Sequence, residues 1–390
     1  MNKPKIAVMA DAKMAEGAKP ACGPAHACVH ESTVASEQMQ ADGLHEHWFV
    51  ACAASELSCD KPLRAKVLGI GIVLFYERDD NVVALIDQCV HRGTRLSAGK
   101  VDDGQLVCPY HGWRYDGSGH VVRVPSIDGT RPLAAPRDYP FRQRVLPVQV
   151  LDGLVWVYPG NGDAAARPIF RMPLRDTAPW QSYYMINRFD GDIGMLAQNF
   201  MDVPHTVFVH DGIFRSSRGK PMDTTVTTRP DSVLVTYHDG DDRIGFCLDW
   251  LTNPDRVPLA HTDRFIAPNV TRCEYRWGER SGFLIVSQIT PVDARSSRVY
   301  TYIAYRFRLP RWLLRALRPL LRLYTHLVIQ QDVRIMRAHR EGLDNSPDFR
   351  PHNVRADIVH LSIDRLLDAV KRGETLPDEY CGEKPMRFEL

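Results

Sequence analysis

The 390-residue sequence predicts an α+β protein in two folded parts. A small antiparallel β domain is expected over 45–160, and a larger antiparallel sheet covered by helices over 161–390. Three observations carry that expectation. Short runs rich in Val, Ile and aromatics, separated by turn residues, recur at 65–76, 82–87 and 153–158. Similar runs return at 231–237, 245–250, 270–277, 283–290 and 298–307, as a second sheet requires. Longer helical stretches bracket that second set, at about 191–201, 312–339 and 363–372, with Pro319 expected to break or kink the middle one. No internal repeat is visible.

Ahead of the first part, residues 1–44 are rich in Ala, Lys, Glu, Met and His without periodicity, and read as a mobile extension. Cys22, His26, Cys28 and His30 have metal-ligand side chains, but they lack flanking strands and a second half, so a solvated tail is the reading. Order is expected from His47-Trp48-Phe49-Val50 onward. The stretch 161–179, rich in Pro, Ala and Gly, reads as a linker.

Composition removes several functions. With 49 basic and 47 acidic residues the net charge is +2, so no field selects nucleic acid or an acidic partner. Nine cysteines, at 22, 28, 52, 59, 89, 108, 247, 273 and 381, show no disulfide-like spacing, and a reducing cytoplasm is expected. No apolar run reaches the roughly 18 residues of a membrane span. The N-terminus lacks the continuous apolar core of a secretory signal.

The chemistry begins at 89–113. Cys89-x-His91 is followed, sixteen residues later, by Cys108-x-x-His111. Two Cys and two His in paired short spacings point to a metal. Tetrahedral zinc would accept such a set. Zinc fingers, however, usually put both Cys in one short motif and both His in another, whereas here each motif carries one of each. That suits a two-iron cluster in which one iron takes the thiolates and the other the imidazoles. Gly93 and Gly112 permit tight turns beside the sulfurs, and Pro109 stiffens the second loop. A second constellation holds Asn199, Asp202, His205 and His210. Two His five apart converge on one metal if the helix loosens between them, and Pro204 removes an N–H there. A carboxylate would complete the facial triad of non-haem iron oxygenases. The plain alternative is two His capping or packing at a helix end.

The pattern C-x-H-x16-C-P-Y-H-G-W resembles the signature of a Rieske [2Fe-2S] domain. With N-x-x-D-x-x-H-x4-H behind it and an acidic residue on a late helix, the chain resembles the oxygenase (alpha) subunit of Rieske non-haem iron oxygenases over about 45–375. H-G-W after the cluster motif and M-D-V-P-H-x4-H look closer to the monooxygenase and demethylase branches. The resemblance implies a helix-grip-like catalytic domain. It also implies that Cys89 and Cys108 hold one cluster iron, that His91 and His111 hold the other, and that His205 and His210 hold a mononuclear Fe(II). Asp332, in Gln330-Gln331-Asp332, takes the place of the carboxylate ligand, ahead of Asp344 and Asp348 in a stretch read as loop. Asp202 resembles the bridging carboxylate between an iron-ligating His and a cluster His, His111 of the partner subunit. Asn199 would lie near the iron without being a firm ligand.

The family further implies a head-to-tail homotrimer. Electrons would come from NAD(P)H through a separate reductase, with or without a ferredoxin, since no G-x-G-x-x-G follows a strand here. The implied reaction uses O2 to hydroxylate or oxidatively demethylate a hydrophobic or aromatic small molecule. Ring cis-dihydroxylation, oxidative cyclisation, an electron-transfer iron–sulfur protein and a zinc-stabilised binding module are the alternatives. Substrate walls are expected at 203–214, 246–250 and 283–289, with Phe208, Phe214, Phe246, Trp250 and Phe283 as candidates, each otherwise ordinary core. The segment 309–324 alternates Leu with Arg. It is expected to pack on the sheet with Arg outside rather than to touch a membrane.

Overall fold

The computed structural model describes residues 43–78, 81–129, 135–214, 221–238 and 253–389. The first part contains β1 (Phe49–Ala53), β2 (Leu63–Val67), β3 (Ile70–Tyr76), β4 (Val82–Ile86), β5 (Lys100–Asp102), β6 (Gln105–Val107), β7 (Arg114–Tyr115), β8 (Val121–Arg123), a one-turn α1 (Pro125–Asp128), β9 (Val145–Leu146), β10 (Val148–Leu151) and β11 (Leu154–Val157). These make three antiparallel sheets, ordered β1-β11-β10, β2-β3-β4-β9 and β5-β6-β7-β8. The expected single run at 65–76 is two strands. Leu68 and Gly69 adopt φ of 50° and 83° and turn the chain back. The turn is held from outside: the Leu68 N–H donates to Pro291 O (2.8 Å) and the Gly69 N–H to Val292 O (3.1 Å). A contact distant in sequence thus fixes a turn that local composition does not show.

The second part contains β12 (Gln181–Phe189), α2 (Ile193–Met201), α3 (Thr206–Val209), β13 (Pro221–Arg229), β14 (Ser232–Tyr237), β15 (Leu259–Ile266), β16 (Val270–Trp277), β17 (Ser281–Asp293), β18 (Ser296–Arg306), α4 (Arg311–Asn345), α5 (Ile358–Lys371) and β19 (Gly382–Glu389). The strands form one antiparallel sheet, β12-β18-β17-β16-β15-β14-β13-β19. In β15 the residues Leu259, His261, Asp263 and Phe265 are buried while their neighbours are not, the period of two that a one-sided sheet imposes. Leu196 of α2 and Ile363, Leu366 and Leu367 of α5 pack with Val233, Val235 and Phe265 in one core. Asp192 starts α2 by accepting the Met195 N–H (3.0 Å).

The two parts share buried surface. Within it, Thr290 Oγ1 donates to Val50 O and Tyr300 OH to Ala51 O, both at 2.8 Å, so β1 is roofed by the large sheet. The linker stretch is tied down as well, since Trp48 Nε1 donates to Ala164 O (3.2 Å) and Arg167 O (3.0 Å).

Pro319 does not break α4, which runs 35 residues through it. Pro319 is solvent-exposed, so the missing N–H falls on the water side. On the inner side Leu314 and Leu321 pack with Tyr183, Tyr305 and Phe307, and Tyr183 OH meets Thr325 Oγ1 at 2.8 Å. Asp344 lies in the last turn of α4 rather than in a loop, paired with Arg340 (2.6 Å) and with Arg295. The expected strand at 245–250 lies outside the described residues, as does nearly all of the N-terminal stretch 1–44.

Candidate metal centres

The first centre sits on two loops of closely similar build. In one, Cys89 N–H donates to Thr94 O (2.8 Å) and Gly93 N–H to Cys89 O (2.9 Å). In the other, Cys108 N–H donates to Trp113 O (2.9 Å) and Gly112 N–H to Cys108 O (3.1 Å). Gly93 and Gly112 hold φ of 74° and 71°, which a side chain would strain. Both sulfurs are buried, while His111 is exposed and its ring lies 4.5 Å from that of His91. The His91 ring stacks on Trp113 at 4.6 Å and 4°. Its Nδ1 is buried without a hydrogen-bond partner, an orphan that a metal would satisfy. Tyr115 OH donates to Cys89 Sγ (3.1 Å) and accepts the Val90 N–H (3.1 Å). Burial and the adjoining Cys89 push the Tyr115 phenol up, so it stays a donor to that sulfur. Burial also raises the Cys108 thiol, whose ionisation then calls for a cation beside it. Buried sulfurs and outer imidazoles fit a cluster with the thiolates on the inner iron and the imidazoles on the outer one.

The second centre is built where α2 gives way to α3. The helix stops at Met201 and Asp202 leaves helical geometry with ψ of 98°. His205 then precedes α3, and His210 follows it. This break around Pro204 turns two His five apart toward α4, where Asp332 is buried. His205 Nε2 lies 3.5 Å and His210 Nε2 3.2 Å from Asp332 Oδ1, and the three ligand atoms are within 4.8 Å of one another. Asn199 Nδ2 donates to the same Asp332 oxygen at 3.2 Å. Each imidazole is also held from behind. His210 Nδ1 meets Gln331 Oε1 at 2.9 Å, and His205 Nδ1 contacts the Asp202 main-chain oxygen. Those acceptors hold a proton on Nδ1, so that Nε2, facing Asp332, is the nitrogen a metal would take.

The electrostatics follow. Burial alone would raise the Asp332 carboxyl, but hydrogen bonds from His205 and His210 outweigh it and hold the group down to about 2. Burial works to lower His205, yet the Asp332 hydrogen bond and charge, with Asp202, raise it. The Asp202 carboxylate is 3.9 Å from His205 Nδ1, so its main-chain oxygen, not the carboxylate expected from sequence, is the nearer acceptor. That follows from its place at the helix end, where the backbone folds back over His205. The side chain instead opens into a cleft of about 660 Å³ shared with Asn199, Met336, His339 and His360. Burial raises its carboxyl.

Sequence reasoning missed Gln331 as a support and missed a polar cluster on the sheet. Tyr237, His261, Tyr275 and Phe283 are direct cross-strand partners on β14 to β17. Their rings stack in a ladder with centroids 4.0, 4.2 and 4.6 Å apart. His261 Nε2 lies 3.0 Å from Asp263 Oδ1, and Tyr237 OH donates to Asp263 Oδ2 at 3.0 Å. The readable signal was His-x-Asp in a strand, which puts both on one face. Of the expected wall residues, Phe214 stands edge-on between His210 (6.2 Å) and Tyr275 (5.9 Å), and Phe283 ends the ladder. Phe208 is 71% exposed. Phe246 and Trp250 lie outside the described residues.

Two family profiles match successive parts of the chain. The Rieske [2Fe-2S] domain matches residues 47–146, and the vanillate O-demethylase oxygenase C-terminal domain matches residues 189–372. The chain is similar to the oxygenase component of dicamba O-demethylase from Stenotrophomonas maltophilia, 35% identical over 42% of this chain and 46% of that protein. It is similar to chloroplastic chlorophyllide a oxygenase of Chlamydomonas reinhardtii, 30% identical over 51% of this chain and 29% of that one. It thus spans less than half the length of either relative. The structure of dicamba monooxygenase bound to dicamba shares the fold with a TM-score of 0.68 at 21% identity, covering 85% of this chain and 98% of that chain. The two matched domains imply a Rieske [2Fe-2S] cluster and a mononuclear iron, and no helix among the described residues is long and apolar enough to cross a membrane.

Proposed function

This chain belongs to the Rieske non-haem iron oxygenases, and we propose that it is an oxygenase component that hydroxylates or oxidatively demethylates a hydrophobic or aromatic small molecule. Cys89, His91, Cys108 and His111 would hold the cluster, and His205, His210 and Asp332 the mononuclear iron. The observation that carries the reading is the convergence of those last three residues on one point, with both imidazoles braced on their far nitrogens. When bound, the cluster supplies electrons and the iron supplies oxygen activation. The chain's own residues do the rest. Gln331 and the Asp202 carbonyl keep each imidazole in one tautomer, and Asn199 pins the Asp332 carboxylate. Phe214 and the Tyr275–Phe283 stack give an apolar wall beside His210. Hydroxylating a methyl on oxygen or nitrogen leads to its loss, so one site serves both outcomes.

The electrons come from NAD(P)H through a separate reductase or ferredoxin. We place the chain in the cytoplasm as a head-to-tail homotrimer, with boundaries near 45, 160 and 390. The exposed His111 and the Asp202 carboxylate facing an open cleft support a subunit contact between the two centres. A His205→Ala variant tests the assignment. With aromatic and methylated substrates and a surrogate reductase it should form no product while keeping the visible spectrum of the cluster. Loss of both would contradict two independent centres.

A further inference from the structure

The N-terminal half of α4 packs Leu314 and Leu321 inward but turns further apolar side chains outward beside its arginines. The two kinds form separate rows. Trp312, Leu320, Leu323 and Leu327 are 70%, 59%, 55% and 50% exposed. At helical spacing they, with Ala316, fall on one side of the outward face. The row is about 22 Å long at the helical rise. Arg311, Arg315, Arg318 and Arg322 fall along the other side of that face. Among the described residues none of these four arginines forms an ion pair, although ion pairs are frequent elsewhere on this surface; Arg322 alone turns back, donating to Tyr184 O (3.3 Å) over the Tyr183 ring (5.3 Å). No Asp or Glu occurs between 309 and 331. Three of the arginines, Arg311, Arg315 and Arg318, also edge a cleft of about 560 Å³ with Trp180 and Asp176. The helix is anchored from behind by Leu314 and Leu321, so this face is presented rigidly.

A helix that offers a Trp/Leu row beside an arginine row, with no acidic residue in between, matches the chemistry of a bilayer surface. The apolar row enters the acyl boundary and the guanidiniums meet anionic headgroups. An acidic protein would satisfy the arginines but leaves the long apolar row without a reason. We propose that the outward face of α4 over 311–327 is a peripheral docking surface for anionic lipid bilayers, with the helix lying in the interface and not crossing it. This inference uses neither metal centre and stands apart from the oxygenase reading.

The test is co-sedimentation of the full-length holoprotein with phosphatidylcholine vesicles, with and without phosphatidylglycerol. Parent protein should sediment with the anionic vesicles at low salt and be released by high salt. The variant Leu320→Gln/Leu323→Gln/Leu327→Gln, altered only at exposed positions, should keep the cluster spectrum and lose at least about tenfold in vesicle binding. Arg315→Gln/Arg318→Gln should lose about fivefold per charge and should flatten the salt dependence. The proposal is overturned if the parent stays in the supernatant with anionic vesicles, or if the triple variant binds as the parent does. It is also overturned if the triple substitution lowers the molar mass in light scattering, because the face is then a contact between copies of the chain.

Discussion

Gln331 shows what the site asks of a single side chain. Its amide oxygen lies 2.9 Å from His210 Nδ1 and fixes the ring with Nε2 toward Asp332. Gln331→Leu should therefore lower Fe(II) affinity by roughly tenfold to a hundredfold while leaving the cluster untouched, as read by iron titration of the metal-free second site. The pH behaviour of that site has a definite sign. Asp332 is depressed in the folded chain from 3.8 to about 2, so its contribution is present above 3.8 and fades as pH falls toward 2. His205 is raised above 6.5, so its contribution is complete below 6.5 and fades as pH rises through the higher folded value. Chemical denaturation of protein lacking the mononuclear iron should thus find the site's support greatest between about pH 4 and 6.5. Fe(II) binding should run the other way. It must displace the His205 proton, so it tightens as pH rises and releases a proton at pH 6.5 and below, which calorimetry in buffers of different ionisation enthalpy will register. Candidate ligands were legible in the sequence by residue type and spacing, as with Cys89-x-His91 and Cys108-x-x-His111. Gln331 was not, because an amide becomes a brace only through the ring it meets in space.

At the scale of elements, α4 was legible as a helix over about 312–339, but its continuity through Pro319 was not. Pro319 predicts a break or kink; there is no break, because packing on both sides of it in the Tyr183–Tyr305–Phe307 cluster carries the helix through. Replacing Pro319 with Ala restores one N–H donor and should raise stability by about 1–3 kcal/mol in denaturant unfolding, with no change in site chemistry. The strands divide by the same physics. The run 270–277 was readable because β16 holds bulky residues along its length. β13, with its Thr-rich PMDTTVTTR, and β19, with only Met386 and Phe388 buried, were not anticipated. Their pairing with each other at the sheet edge, from Pro221↔Glu389 to Thr228↔Gly382, supplies what composition does not. The loosened segment between α2 and α3 was readable from Pro204, since a missing N–H is a local fact.

For the whole molecule, the division into a cluster-bearing part and a sheet-bearing part was legible, but the surface joining them was not. That joint rests on contacts between residues far apart in the chain, such as Tyr300 OH to Ala51 O and Thr290 Oγ1 to Val50 O, 249 and 240 positions apart. Tyr300→Phe should cost about 1–3 kcal/mol in thermal unfolding by leaving a buried carbonyl without its donor. The central claim is that one chain carries two separate iron centres, one with sulfide and one without. The most direct test is the ratio of iron to acid-labile sulfide in anaerobically purified protein, before and after incubation with Fe(II). Two centres predict about three irons per two sulfides. A ratio that stays near one to one after Fe(II) is added would contradict the second centre and leave only an electron-carrying cluster.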